Sequence, residues 1–266
     1  MSEIARNRRV LVVVPTLGRR SGYLKETLTS IRSQQVESNI VIVCPIDDET
    51  SRDLAQAFEC CTVTDPGNLP AAINAGVASA WQGEEFVSWL NDDDLLEDGS
   101  LEATSAMLDR DSSCVCAYGS CRYIDEAGRT LWLNSAGRWA DRILAWGPDL
   151  IPQPGMLVRS EAWHSIGGLN ESYRFAFDLD LLLRLRKLGS LRDVGVTVSS
   201  FRWHADSLTV GDRTQSLDES QRAKRAALSP TARSVAWIWE GPVRLATRVA
   251  ALQVSARARR IRSATE

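Results

Sequence analysis

Residues 9–15, Arg-Val-Leu-Val-Val-Val-Pro, form an unbroken aliphatic run, the signature of a strand covered on both faces in a parallel sheet. A glycine-bearing loop at 16–22 follows, and Leu24, Leu28 and Ile31 then recur at helical spacing. The alternation repeats. Residues 39–44 predict a second strand, 54–58 the start of a second helix, 61–64 a short third strand and 71–81 a helix of small residues. Phe86, Val87, Trp89 and Leu90 make a fourth strand, which runs directly into Asn91-Asp92-Asp93-Asp94. Strands interleaved with helices in this way specify a doubly wound α/β fold, with a mostly parallel sheet flanked by helices.

Beyond the acidic turn the alternation loosens. Residues 101–108 read as a helix, and 115–123 and 130–133 as strands joined by a hairpin turn at 125–129. Cys114 and Cys116 alternate as in a strand, which would point both side chains to one face. The proline-rich stretch 148–155 suits neither regular element. A strand at 156–158, a short helix at 161–166 and a loop at 167–171 precede a helix at 177–188. Its buried face would be Leu181, Leu182, Leu185 and Leu188, and Gly189 would end it. Residues 191–201 form one strand or a pair. From about residue 211 the chain turns polar, with a helix at 214–228, a Ser229-Pro230 break and mostly helical residues 235–262. The expected organisation is one domain over residues 1–210, its two halves meeting near residue 98, and a basic helical extension over 211–266.

Composition narrows the class. With 266 residues, 44% hydrophobic and 24% charged, the chain has the makings of one large α/β core and not of wholesale disorder. No apolar run reaches the ~20 residues of a membrane span, and the N-terminus leads into a strand rather than a secretory signal. A cytoplasmic protein is therefore expected. The six cysteines follow no repeated ligand spacing, so they are expected as buried free thiols. The net charge of −3 is uneven: residues 222–266 hold ten Lys or Arg against two Glu, a local +8 that leaves −11 for the rest. Nucleic-acid proteins are more often basic throughout, so that partner class is set aside. In the tail, Leu245, Val249, Leu252 and Ala256 form a stripe flanked by Arg244, Arg248 and Arg259. Such a helix either docks on the body or makes peripheral contact with the inner face of a membrane, its arginines reaching toward anionic lipid.

The candidate chemistry lies in the loops. Right-handed crossovers bring the ends of the strands to one rim of the sheet, where ligands of open α/β folds bind. The loops there carry Arg19, Asp47, Asp48 and the triplet Asp92, Asp93 and Asp94. Three adjacent carboxylates repel one another unless a cation or a set of donors is near, and Mn2+ or Mg2+ favours oxygen ligands of this kind. The alternatives are a solvated turn with Asp94 or Asp98 capping a helix, and an Asx turn with a cap at Asp47 and Asp48.

Five stretches in order carry a family likeness: Val14-Pro15-Thr16 with Arg19, Asp47-Asp48-Glu49-Thr50-Ser51, Ala72-Ile73-Asn74-Ala75-Gly76, Trp89-Leu90-Asn91-Asp92-Asp93-Asp94, and the pair Gly167-Gly168-Leu169-Asn170-Glu171 and Phe175-Ala176-Phe177-Asp178-Leu179-Asp180-Leu181. Together they resemble the motifs of family 2 glycosyltransferases of the GT-A fold, over residues 9–209. Glu49 replaces a glycine of the family pattern, Ile73 an arginine, Asn91 the first acid of the metal loop and Phe177 a glutamate.

The resemblance implies an inverting, metal-dependent, hexosyltransferase-like enzyme that moves a sugar from a nucleotide-diphospho-sugar to an acceptor hydroxyl, in surface-glycan or glycoconjugate assembly. The acceptor would be a glycan, a lipid-linked sugar or a small molecule. Pro15, Thr16, Arg19, Asp47, Asp48, Asn74 and Asp92 would bind the donor, and Asp93, Asp94 and His204 the Mn2+ or Mg2+. A loop or core histidine is the other reading of His204. Asp178 would be the catalytic base, with Asp180 its competitor, because two carboxylates two residues apart at a helix start cannot both face one ligand. The helix N-terminus would lower the pKa of either. Trp132, Trp139 and Trp146 fall where the family binds acceptors, with core burial the alternative. The four departures keep open a second reading, a non-catalytic sugar-nucleotide-binding or scaffold subunit of a glycan assembly complex. Sugar transfer requires Asp48, Asp93 and Asp178 to converge on one cleft.

Overall fold

The computed structural model describes residues 9–135, 137, 139–203, 213–235, 237–238 and 240–242. The first half alternates as the sequence predicts: β1 (Val10–Pro15), α1 (Ser21–Arg32), β2 (Ser38–Cys44), α2 (Glu49–Ala57), β3 (Cys61–Thr64), α3 (Leu69–Ala80) and β4 (Phe86–Trp89). After the acidic turn come β5 (Leu95–Leu96), α4 (Ser100–Arg110), β6 (Cys114–Ile124), β7 (Thr130–Asn134), α5 (Ala140–Ile143), β8 (Leu157–Arg159), α6 (Ser160–Ser165), α7 (Phe177–Leu185) and β9 (Ser190–Arg202). Two helices beyond them are α8 (Arg213–Ala227) and α9 (Pro230–Val235).

The strands form one mixed sheet in the order β3-β2-β1-β4-β8-β6-β9-β5, with β7 on β6. The run β3-β2-β1-β4 is parallel, β8 lies antiparallel between β4 and β6, β6 and β9 are parallel, and β5 is antiparallel to β9. The sheet curls until its far edge returns to the first half, where Leu96 N donates to Ser30 Oγ of α1 at 3.1 Å.

Strand alternation explains the unbroken apolar runs. Leu11 and Val13 of β1, Val41 and Val43 of β2, and Val87 and Trp89 of β4 enter a core with α3, α6 and α7. Val10, Val12 and Val14, with Ile40, Ile42 and Phe86, enter a second core with α1 and α4 on the opposite face. A strand that feeds two cores has no polar side. Helix α3 presses so closely on this sheet that a Cβ at Gly76 would lie 2.6 Å from Val13 Cγ1.

Three expectations are corrected. Cys114 and Cys116 point into opposite cores, because a register shift against β9 falls between them and one extra residue reverses the side-chain direction. Cys61 is exposed and Cys60 half-buried, since β3 is an edge strand; the other four thiols are buried and all six are free. Helix α7 stops at Leu185, leaving Leu188 49% exposed. The chain tightens there as Leu188 N and Gly189 N both donate to Leu185 O, and Ser190 begins the single strand β9. The stripe at 245–256 lies outside the described residues, and among those described no helix is long and apolar enough to cross a membrane. Helix α8 docks on the body with Ala223 in the core and Glu219 and Lys224 buried.

Candidate active site

The loop after β1 turns back on the acidic loop after β4. Gly18 N donates to Thr16 Oγ1 at 3.0 Å, and Thr16 Oγ1 donates to Asp92 Oδ2. Arg20 pairs with Asp93 across 3.1 Å. Gly18 has φ +72°, and a Cβ there would meet Asp48 Oδ2 at 2.3 Å, so glycine is required by conformation and by space. Asp48 caps α2, its Oδ1 accepting from Ser51 N at 3.0 Å. Its Oδ2 is buried with no hydrogen-bond partner among the described residues, an acceptor left open directly behind the loop.

These loops wall a cleft of about 840 Å3, a size suited to a small organic ligand. Pro15, Thr16, Arg19 and Arg20 form one side, Asn91, Asp92 and Asp93 the floor, and Gly67, Asn68 and Pro70 a third wall. The remaining wall is Glu171, Tyr173 and Arg174 before α7, with Gln215 and Glu219 from α8. Burial, followed by the charge of Asp93, pushes Asp92 up to about 6, against the hydrogen bond from Thr16.

The predicted residues divide. Pro15, Thr16, Arg19, Asp92 and Asp93 line the cleft. Asp48 stands behind its wall at Gly18, and Asp47 is exposed outside it. Asn74 does not reach it: Nδ2 donates to Leu169 O and Oδ1 accepts from Leu169 N, both at 2.9 Å, so the carboxamide braces the loop at 169–171. Asp94 does not line the cleft and anchors the acidic loop from within. It is fully buried, its oxygens accepting from Arg202 N and Asn91 Nδ2, each at 3.1 Å. Arg202, 2% exposed, completes the anchor by donating to Asp93 O and pairing with Glu26. His204 lies outside the described residues.

The two acids of α7 separate as well. Asp180 is buried in an ion pair with Arg184 at 2.7 Å, and Arg184 also donates to Ile166 O, so Asp180 is held as a structural group. Asp178 stays half-buried at the helix start, where Oδ1 accepts from Leu179 N at 2.8 Å. Burial raises its pKa above the ordinary carboxylate range, outweighing the helix terminus that was expected to lower it. Asp149, from the proline-rich loop, is raised by burial and then by the Asp178 charge. Of the three acids expected to converge, Asp93 lines the cleft, and Asp48 and Asp178 are not among its lining residues. Trp139 and Trp146 are exposed, at 56% and 42%, and Trp132 stacks on Tyr123 with centroids 4.5 Å apart.

Arg20, Arg174, Arg202 and Glu219 were not singled out from sequence. Arg20 had a signal in its adjacency to Arg19; the others sit in unremarkable polar contexts.

Among the described residues no group of three or more His, Cys, Asp or Glu is placed to hold a metal alone. Asp92 and Asp93 face the cleft beside Asn91, whose Nδ2 is engaged by Asp94 and whose Oδ1 remains a neutral oxygen. Asp92 accepts from Thr16 and Asp93 is paired with Arg20, so a cation held here would compete with that pair and would need further ligands, such as substrate phosphates, to complete it.

No curated protein matches the chain. Among solved structures it is similar to Staphylococcus aureus TarS residues 1–349 in complex with UDP-GlcNAc, at 15% identity and TM-score 0.62, covering 85% of this chain and 69% of that one. TarS 1–349 alone matches at 14% identity and TM-score 0.61, covering 85% and 68%. At such identities the likeness is one of fold, and that fold is GT-A. The family model described as glycosyl transferase family 2 matches residues 11–168, the span from β1 through the acidic turn to Gly168, and to that family of glycosyltransferases this chain belongs.

Proposed function

We propose that the chain is an inverting glycosyltransferase that moves a sugar from a nucleotide-diphospho-sugar to an acceptor hydroxyl, in the assembly of a surface glycan or glycoconjugate. The observation that carries the reading is the cleft itself, where Arg19 and Arg20 from the end of β1 face Asp92 and Asp93 from the end of β4. A diphosphate needs cationic groups around it as it leaves, and the arginines supply them. Asp48 Oδ2, buried behind Gly18 without a partner among the described residues, would accept from a base N–H or ribose hydroxyl once the Gly18 loop moves aside. TarS, which shares the fold, is described with UDP-GlcNAc bound, which supports a donor of that class.

Asp93, with Asp92 and Asn91 Oδ1, would hold Mn2+ or Mg2+, whose charge would offset that of the departing diphosphate. Asp178 would take the proton of the acceptor hydroxyl while that oxygen bonds to the anomeric carbon and the carbon–diphosphate bond breaks on the opposite face. A raised pKa makes Asp178 a stronger base that is still ionised in the neutral range.

UDP-, GDP- and dTDP-sugars should be screened by thermal shift with and without Mn2+. A true donor at a hundred times its Kd adds about 2.7 kcal/mol of stability. Turnover with that donor should fall by roughly 10²–10⁴ in Asp178→Asn, the usual contribution of a general base. Donor binding without turnover in the parent chain would instead favour a sugar-nucleotide-binding scaffold.

A further inference from the structure

Helix α8 lies outside the matched family span, yet its buried face grips the segment that leads into α7. Glu219, 7% exposed, accepts with Oε2 from three consecutive backbone N–H groups, of Arg174, Phe175 and Ala176, at 2.9, 2.7 and 3.2 Å. Ala176 is the N-cap residue of α7 and has no side chain able to cap it. One turn along α8, Arg222 packs over the Tyr173 ring at 4.5 Å and donates to Ser172 O at 3.2 Å. Lys224 donates to Gly147 O at 2.5 Å and so holds the loop that carries Asp149.

Unpaired N–H groups at a helix start are normally met by a side chain of the same helix. Here a carboxylate from a helix more than forty residues later meets the N–H of the N-cap residue itself and the two N–H groups before it, with its charge at the positive end of the α7 dipole. Tyr173 and Arg174 line the cleft, and Asp178 follows two residues after the cap. We propose that Glu219 is a positioning residue for sugar transfer: from α8 it fixes the Arg174–Ala176 backbone, which lines the cleft at Arg174, and thereby the start of α7 that carries Asp178. This rests on the reading of Asp178 as the base.

The test compares the full chain with Glu219→Gln and Glu219→Ala, by amide hydrogen exchange over residues 172–185 and by kcat and donor Kd. Loss of charge-assisted hydrogen bonds should speed exchange at Arg174 to Ala176 in Glu219→Ala by about tenfold or more, with the β1–β4 strands unchanged. A base displaced by a fraction of an ångström to an ångström should lower kcat by roughly ten- to a hundredfold at saturating donor, with Kd altered far less. Glu219→Gln, which keeps an acceptor oxygen of the same reach, should fall between parent and Ala in both measurements and guards against a variant that fails to fold. Unchanged exchange overturns the clamp, and a defect confined to Kd overturns the positioning of the base. If the parent turns over no donor, the transferase reading fails, while exchange still decides whether Glu219 holds the segment.

Discussion

Asp149 feels the charge of Asp178, the two titrate together, and both are held above the usual carboxylate range chiefly by burial. Paired carboxyls share their titration, so removing one lets the other ionise at lower pH. A base acts only when deprotonated. The acidic limb of kcat/KM should therefore lie above that of an ordinary aspartate and move to lower pH in Asp149→Asn, as read from a pH–rate profile of both proteins. A limb that stays in place would separate Asp149 from the base. Lys224, also near Asp149, has its pKa lowered by burial. Neither Asp149 nor Lys224 stood out in the sequence, where one sits in a proline-rich stretch and the other in a charged helix. By contrast Thr16, Asp92 and Asp93 were legible, because the strand before each of them is short, apolar and sharply ended. The place of Asp94 is not legible for a physical reason: a run of three acids does not reveal which one turns inward, and here Arg202 N, from β9, donates to the third in the interior.

At the scale of elements, close approach decides more than propensity. Helix α3 is rich in small residues and lies over β1 and β2, where Gly76 faces Val13 and Val43. Gly76→Ala adds a methyl with no room unless the helix retreats, so it should destabilise the protein by about 1–3 kcal/mol, seen as a lower midpoint of urea unfolding at an unchanged m-value. The usual gain in helix propensity from Gly to Ala is smaller than this and of opposite sign. An unchanged midpoint would mean that α3 shifts without cost. The alternation of strands and helices through β4 was readable from periodicity alone. The second half was harder, since the β6 bulge and the early end of α7 depend on neighbours: β9 sets the first, and the return of the chain to Ser113 the second.

For the molecule as a whole, the sheet is continuous across the boundary near residue 98. β4 of the first half pairs with β8 of the second, and β5 pairs with β9, while Arg202 ties the acidic turn to both. The two halves should unfold in one transition, with tryptophan fluorescence, which reports Trp89 and Trp163 in the core, coincident with far-UV circular dichroism. Two separated transitions would show the halves to be independent. The amino-acid order was sufficient for the α/β class, the family likeness and the loops that meet at the rim, because these follow from local periodicity and from motifs a few residues long. It was insufficient for which carboxylates face the cleft and for the part played by α8. Burial, pairing and capping between residues far apart in the chain come into being with the packed fold, and no local stretch of sequence encodes them.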